Sequence, residues 1–197
     1  MSPVLSFEEL KAKLGAAPDQ ARYKLYFAAL LADSASVRTD EFFVVGGSAI
    51  EFYTVGEYTS GDIDVVSSQN ERLREVLKSW KFRRDGRVWV SDDLGLVVDL
   101  NRYPYTGDVE KTTVVSTPYG RIRLAAIEDL LVKRLISTKF WNQKGDFEQA
   151  QLLALGFWNR IDWDYVHRFA QREDVIDLLT LLRQVAQTRA KAGKTSA

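Results

Sequence analysis

The run Val44-Val45-Gly46-Gly47-Ser48, followed by Asp62-Ile63-Asp64, constrains this chain more than any other stretch. An apolar run that ends in Gly-Gly-Ser predicts a buried strand breaking into a turn, and Ala49-Ile50-Glu51-Phe52-Tyr53 continues it as the first turns of a helix. Ser48 is the expected N-cap. Glu51, three residues on, completes a capping-box pattern that starts the helix directly after the glycines. Backbone N–H groups left free at such a turn form a site for phosphate, and Gly46 and Gly47 let the phosphate approach without a Cβ in the way. Gly46, Gly47 and Ser48 are therefore the candidate phosphate-binding residues.

Asp62 and Asp64 supply the opposite charge. Alternate side chains of a strand share a face, so Gly61-Asp62-Ile63-Asp64-Val65-Val66 would put both carboxylates on one side and Ile63 on the other. Carboxylates that close repel each other unless a cation lies between them. Hard oxygen ligands of this kind suit a magnesium ion that also contacts substrate phosphates. A solvated strand end is the competing explanation for the pair, and the apolar neighbours Ile63, Val65 and Val66 weigh against it. An anion cradle beside a metal-binding carboxylate pair implies phosphoryl or nucleotidyl transfer.

These residues carry a resemblance. Gly46-Gly47-Ser48, a helix, then Asp62-Ile63-Asp64 between apolar residues is similar to the signature of the nucleotidyltransferase fold, the polymerase-beta-like superfamily. The resemblance implies an α+β domain, a small mixed β-sheet flanked by helices, and a third carboxylate on a neighbouring strand. Leu96-Val97-Val98-Asp99-Leu100 offers Asp99 for that role. An aspartate enclosed by Val98 and Leu100 would otherwise be a costly charge near the core.

Composition narrows the alternatives. The 197 residues suffice for one good core, or for a catalytic domain with a small helical appendage. Lysine plus arginine equal aspartate plus glutamate at 27 each, which argues against a strongly basic nucleic-acid coat and leaves a local basic groove open. The sequence holds no cysteine, so disulfides and thiolate metal sites are excluded and a cytoplasmic location is expected. Met1-Ser2-Pro3-Val4 lacks the pattern of a signal peptide, and no apolar run is long enough to span a bilayer. His167 is the single histidine, which disfavours a Ser–His–Asp triad or a multi-histidine zinc site.

Along the chain, Ser6-Phe7-Glu8-Glu9 caps a short helix to Leu14. A second helix is expected from Asp19 to about Ala32, with Tyr23, Tyr26, Phe27 and Leu30 as a core stripe. The first strand is expected over Glu41 to Gly46, and a helix over Asn70 to Trp80. Arg87 to Val90 and Leu96 to Asp99 read as a hairpin turning at Asp92-Asp93-Leu94-Gly95. Thr112 to Ser116 and Arg121 to Leu124 read as another, turning at Pro118-Tyr119-Gly120. From Ala125 the period becomes 3.6, with helices expected at 126–140, 147–155, 164–172 and 175–187. The expected layout is a nucleotidyltransferase core with N-terminal helices over 1–124, a C-terminal helical bundle over 125–190 and a disordered tail over 191–197.

The second half adds to the resemblance. Ile127-Glu128-Asp129-Leu130-Leu131-Val132-Lys133, then Lys144-Gly145-Asp146-Phe147-Glu148, is similar to the later motifs of the AbiEii-type branch, the toxin component of bacterial abortive-infection and toxin–antitoxin systems. There a helix-borne lysine and a following aspartate complete the active site, which implies Lys133 and Asp146 here. Gly145 stands where that branch often has a basic residue. A surface ion pair of Asp129 with Lys133, four residues apart, is the competing explanation for the lysine.

The resemblance implies a magnesium-dependent enzyme, with a two-metal site that manganese could also fill, transferring NMP from an NTP to a hydroxyl of RNA, tRNA included, or of protein. Asp62, Asp64 and Asp99 would bind metal; Gly46, Gly47, Ser48 and Lys133 would bind nucleotide; Asp146 would complete the catalytic set. A cognate antitoxin is an implied partner and a monomer the working expectation. An antibiotic-modifying adenylyltransferase and a non-catalytic binding protein of the same fold are the alternatives.

Overall fold

The computed structural model describes residues 4–195, and the chain divides into two compact units, Met1–Ala125 and Ala126–Ala197. The division falls one residue beyond the boundary expected at Leu124. The architecture is α+β, with a mixed seven-stranded sheet in the first unit and helices alone in the second. No helix among the described residues is long and apolar enough to cross a membrane.

In the first unit, α1 (Phe7–Leu14) opens on the capping box expected from its sequence: the Ser6 N–H donates to Glu9 Oε2 at 2.8 Å and the Glu9 N–H to Ser6 Oγ at 3.3 Å. α2 (Gln20–Ser34) is capped by Asp19, which accepts from the Arg22 N–H at 2.7 Å. Of its predicted stripe, Phe27 and Leu30 are buried while Tyr23 and Tyr26 are half-buried, and the Phe27 ring packs against those of Trp80 and Phe82 at 5.8 and 5.4 Å. A 3-10 turn at Thr39–Glu41 leads into the sheet.

The strands are β1 (Phe42–Val44), β2 (Ile63–Ser67), β3 (Arg83–Asp85), β4 (Val88–Ser91), β5 (Leu96–Asn101), β6 (Thr113–Thr117) and β7 (Gly120–Leu124), with α3 (Gly46–Tyr53) after β1 and α4 (Asn70–Ser79) after β2. Their order is β3-β4-β5-β2-β1-β7-β6. Both predicted hairpins are present, β4 with β5 and β6 with β7. β3 was not expected, because its three residues are all exposed and carry no apolar alternation; pairing with β4 makes it a strand.

One face of the sheet is apolar. Phe42, Val44, Ile63, Val65, Val98 and Ile122 are fully buried there. The period of two sends Asp64, Asp99 and Phe43 to the opposite face.

The second unit consists of α5 (Ile127–Trp141), α6 (Lys144–Phe157), α7 (Trp163–Arg172) and α8 (Ile176–Thr195). α5 ends at Asn142, whose φ of 53° is the left-handed stop that asparagine tolerates. α7 starts where Asp162 accepts from the Tyr165 N–H at 3.0 Å, and the Asp162 N–H donates to Glu128 Oε1 on α5 at 3.0 Å. The tail expected to be disordered over 191–197 meets α8, which continues through the strong helix formers Ala190, Lys191 and Ala192 to Thr195. Residues 196–197 lie outside the described residues.

Candidate active site

The helix expected after the glycines begins three residues earlier than the sequence suggests and takes both glycines into its first turn. Val45, not Ser48, stands at the N-cap of α3, and Gly46 takes a φ of 57°. The capping box of Ser48 with Glu51 does not form, because both side chains have stronger engagements elsewhere.

Ser48 is fully buried and its hydroxyl is committed on both sides: it donates to the Val45 carbonyl at 3.0 Å and accepts from the Asp64 N–H at 3.0 Å. The Val45 N–H in turn donates to the Asp64 carbonyl at 2.9 Å. The serine thus ties the glycine turn to β2 at the residue that carries a site carboxylate. What the turn offers an anion is backbone N–H, since the first-turn amides of a helix have no intrahelical carbonyl to bond.

Glu51 is 1% exposed and sits in a polar knot. Its Oε2 accepts from Lys24 Nζ on α2 at 2.9 Å and from the Ser60 N–H at 3.0 Å. Lys24 Nζ also donates to the Ser60 carbonyl at 2.6 Å. The Ser60 hydroxyl lies 2.9 Å from Glu51 Oε2 and 2.7 Å from the Asp62 carbonyl, with one proton to share between them. The knot therefore anchors the loop that delivers Asp62.

Three carboxylates converge at the far side of this turn. Asp62 ends that loop, Asp64 lies on β2, and Asp99 lies on β5 in direct parallel register with Asp64. One oxygen from each falls within 4.8 Å of the others. Asp99 is the buried member at 3% exposure. Burial raises its pKa above the ordinary aspartate value, Arg87 opposes the rise, and the Asp62 charge adds to it. Arg87 Nη2 stands 2.9 Å from Asp99 Oδ2 as an ion pair without the alignment of a hydrogen bond, so this buried oxygen has no hydrogen-bond donor.

These features fit a metal ion. A set of three hard oxygen donors, one of them buried without a donor of its own, could hold a divalent cation, and the mutual repulsion of the carboxylates would fall on binding.

Gly46 is shaped to the same centre. A Cβ built on it would lie 2.3 Å from Asp64 Oδ2. On Gly47 a Cβ would meet Ser60 Cβ at 3.2 Å and Tyr58 Oη at 3.3 Å.

The sequence reading did not single out Arg87, Asn101, Lys24 or Ser60, nor Glu51 in the role it has here. Asn101 follows Asp99 by two residues, and its amide donates to the Asp99 carbonyl at 3.3 Å, with a longer 3.5 Å contact to Asp64 Oδ1. Strand alternation would have pointed to Asn101. Nothing local in the sequence signals the pairing of Lys24 with Glu51.

Lys133 and Asp146 belong to the second unit. Lys133 is half-buried, and burial lowers its pKa against the opposing pull of Asp129. Asp129 is fully buried and accepts from Tyr165 Oη at 2.7 Å, so the charge that acts on Lys133 lies in the interior of the unit rather than at its surface. Asp146 lies 3.5 Å from Arg134 Nη1 and accepts from Gln149 Nε2 at 3.0 Å.

No protein-family model matches this chain, and no curated protein matches it.

Proposed function

We propose that this protein is a cytoplasmic, metal-dependent nucleotidyltransferase of the polymerase-beta-like fold. It would move a nucleoside monophosphate from an NTP to a hydroxyl of RNA or protein. The AbiEii-like motifs extend the proposal to a toxin with a cognate antitoxin as partner. The observation that supports the reading best is the convergence of Asp62, Asp64 and Asp99 beside the Gly46 turn.

Magnesium, or manganese in its place, would be held by the three aspartates and when bound would stabilise charge on the transferring phosphoryl group. The first-turn amides of α3 would orient the terminal phosphates, with Gly46 and Gly47 leaving the backbone open to them. The acceptor oxygen attacks the α-phosphorus, the bond to the bridging oxygen breaks, and pyrophosphate departs. Asp99 suits the hydroxyl proton: burial raises its proton affinity, and its Oδ2 has no hydrogen-bond donor. Ser48 and Ser60 hold Asp64 and Asp62 through the backbone, so the carboxylates are fixed before substrate arrives. Lys133 and Asp146 enter the reading from the resemblance, as a phosphate contact and the group that orients it.

The test is incubation with magnesium, each labelled NTP and total cellular RNA and protein, for wild type, Asp62→Asn and Asp64→Asn. Wild type should label a macromolecule, and both variants should fold yet lose transfer. Labelling from no NTP, or full activity in either variant, would overturn the proposal.

A further inference from the structure

A second feature lies on the same face of the sheet as the carboxylates. Strand register traces that face: Asp64 shares it with Val66, Val66 is opposite Phe43, Phe43 is opposite Arg123, and Arg123 is opposite Val114. Arg121 precedes Arg123 by two residues on β7 and points the same way. Between the two ends, Phe43 is covered by Tyr105, stacked on it with ring centroids 4.9 Å apart and planes at 7°.

At the β7 end a cavity of about 440 Å³ opens, lined by Arg38, Thr39, Asp40, Val114, Arg121 and Arg123. Three guanidinium groups and one carboxylate meet there. Asp40 is taken by Arg38, which grips it with Nε at 3.0 Å and also with Nη2. Arg123 also acts on Asp40 through its charge, and among the described residues no carboxylate forms a contact ion pair with Arg121 or Arg123. Arg123 is held in place by Thr112, whose hydroxyl accepts from Nη1 at 2.7 Å, while its Nε is buried and has no acceptor at all. The cavity thus sets three positive charges against one negative, and an anion in it would offset the excess.

We propose that Arg38, Arg121 and Arg123 form a second anion site, separate from the carboxylates, which takes a phosphate of a single-stranded RNA. The guanidinium fork matches a phosphate's oxygens in two parallel hydrogen bonds, and fixed arginines favour that geometry over a point-charge contact. Val114, 41% exposed, gives the cavity an apolar wall on which a ribose or base can rest. Register puts the Arg123 Cα two strands across and two residues along from that of Asp64, roughly 12 Å by ordinary sheet spacings. An anion held at both places therefore belongs to a chain several nucleotides long rather than to one mononucleotide. The anion site stands on its own geometry, and only its role in presenting an acceptor to the carboxylates rests on the proposed function.

The experiment is fluorescence anisotropy of a labelled single-stranded RNA 20-mer in EDTA, where no transfer can occur. Wild type should bind it, with affinity falling as salt rises. Arg121→Ala, at an exposed position, should weaken binding about tenfold and flatten the salt dependence by roughly one released counterion. Arg123→Lys should weaken it as well while leaving the melting temperature near wild type. Because EDTA removes any metal-dependent step from the readout, a failure of the catalytic reading leaves the anion site unaffected. Unaltered RNA affinity in both arginine variants would overturn the proposal. So would competition by inorganic phosphate or UMP at the same concentration of phosphate groups as the RNA, which would assign the site to free anions.

Discussion

Gly46→Ala separates the stability of the glycine turn from its service to the proposed metal site. At φ 57° an alanine is in the left-handed region, which costs about 1–2 kcal/mol and lowers the melting temperature by roughly 2–8 °C for a chain of this size. The added methyl meets Asp64 Oδ2 at 2.3 Å, whereas ordinary contact begins near 3.4 Å, so the carboxylate must retreat by about 1.1 Å. Metal sites tolerate ligand displacements of about 0.2 Å, so a retreat several times larger removes Asp64 as a ligand. Affinity for a divalent ion should fall by about tenfold to a hundredfold or more. Calorimetric titration with manganese measures the affinity, and melting in EDTA measures the stability. Gly47→Ala is the internal comparison: its methyl meets Ser60 and Tyr58 at 3.2 and 3.3 Å, a misfit of a few tenths of an ångström, and metal affinity should survive. A Gly46→Ala protein that binds manganese as tightly as wild type, whatever its melting temperature, would refute the reasoning.

Three further outcomes are expected. Burial raises the Asp99 pKa in the folded state, so its contribution to stability is present below the ordinary aspartate value and is lost as pH rises through the folded one; Asp99→Asn should therefore melt a few degrees above wild type at pH 7 in EDTA, with the gain shrinking toward pH 4. A lower melting temperature at pH 7 would mean that the Arg87 pairing outweighs burial. Glu51→Gln leaves the Lys24 charge buried without its partner and should cost about 3–5 kcal/mol in urea unfolding, against which a loss under 1 kcal/mol would count decisively. Lys133→Ala should lower kcat/KM for NTP about tenfold to a hundredfold, the worth of a charge-assisted phosphate contact of about 1.5–3 kcal/mol, and Lys133→Arg should recover only part of it. An unchanged kcat/KM would remove Lys133 from the active site.

Local pattern by itself determined the secondary structure of most of the chain. Ser6 with Glu9 marks α1, the Phe27 and Leu30 spacing marks α2, the Asp92–Gly95 cluster turns one hairpin and Pro118–Gly120 the other, and the change of period after Ala125 separates the units. These signals act between residues a few positions apart, where capping, turn chemistry and periodicity are decided. Local pattern also named Asp62 and Asp64, because acids at alternate positions leading into an apolar strand are conspicuous in one dimension, while Asp99 was reached through the resemblance that those two carry.

Tertiary structure alone decided what those residues meet. Ser48 and Glu51 satisfy a capping box on paper, yet Ser48 bonds Asp64, 16 residues away, and Glu51 bonds Lys24, 27 residues away. A buried hydroxyl or carboxylate must find its partners wherever the fold supplies them, and here those partners outcompete the local cap. The same holds for β3, a strand only by pairing, and for Arg121 and Arg123, which reach the face of Asp64 through the register of three strands. Register follows from the burial of the opposite, apolar face, which leaves each strand one choice of side, and that choice is made by the whole sheet at once.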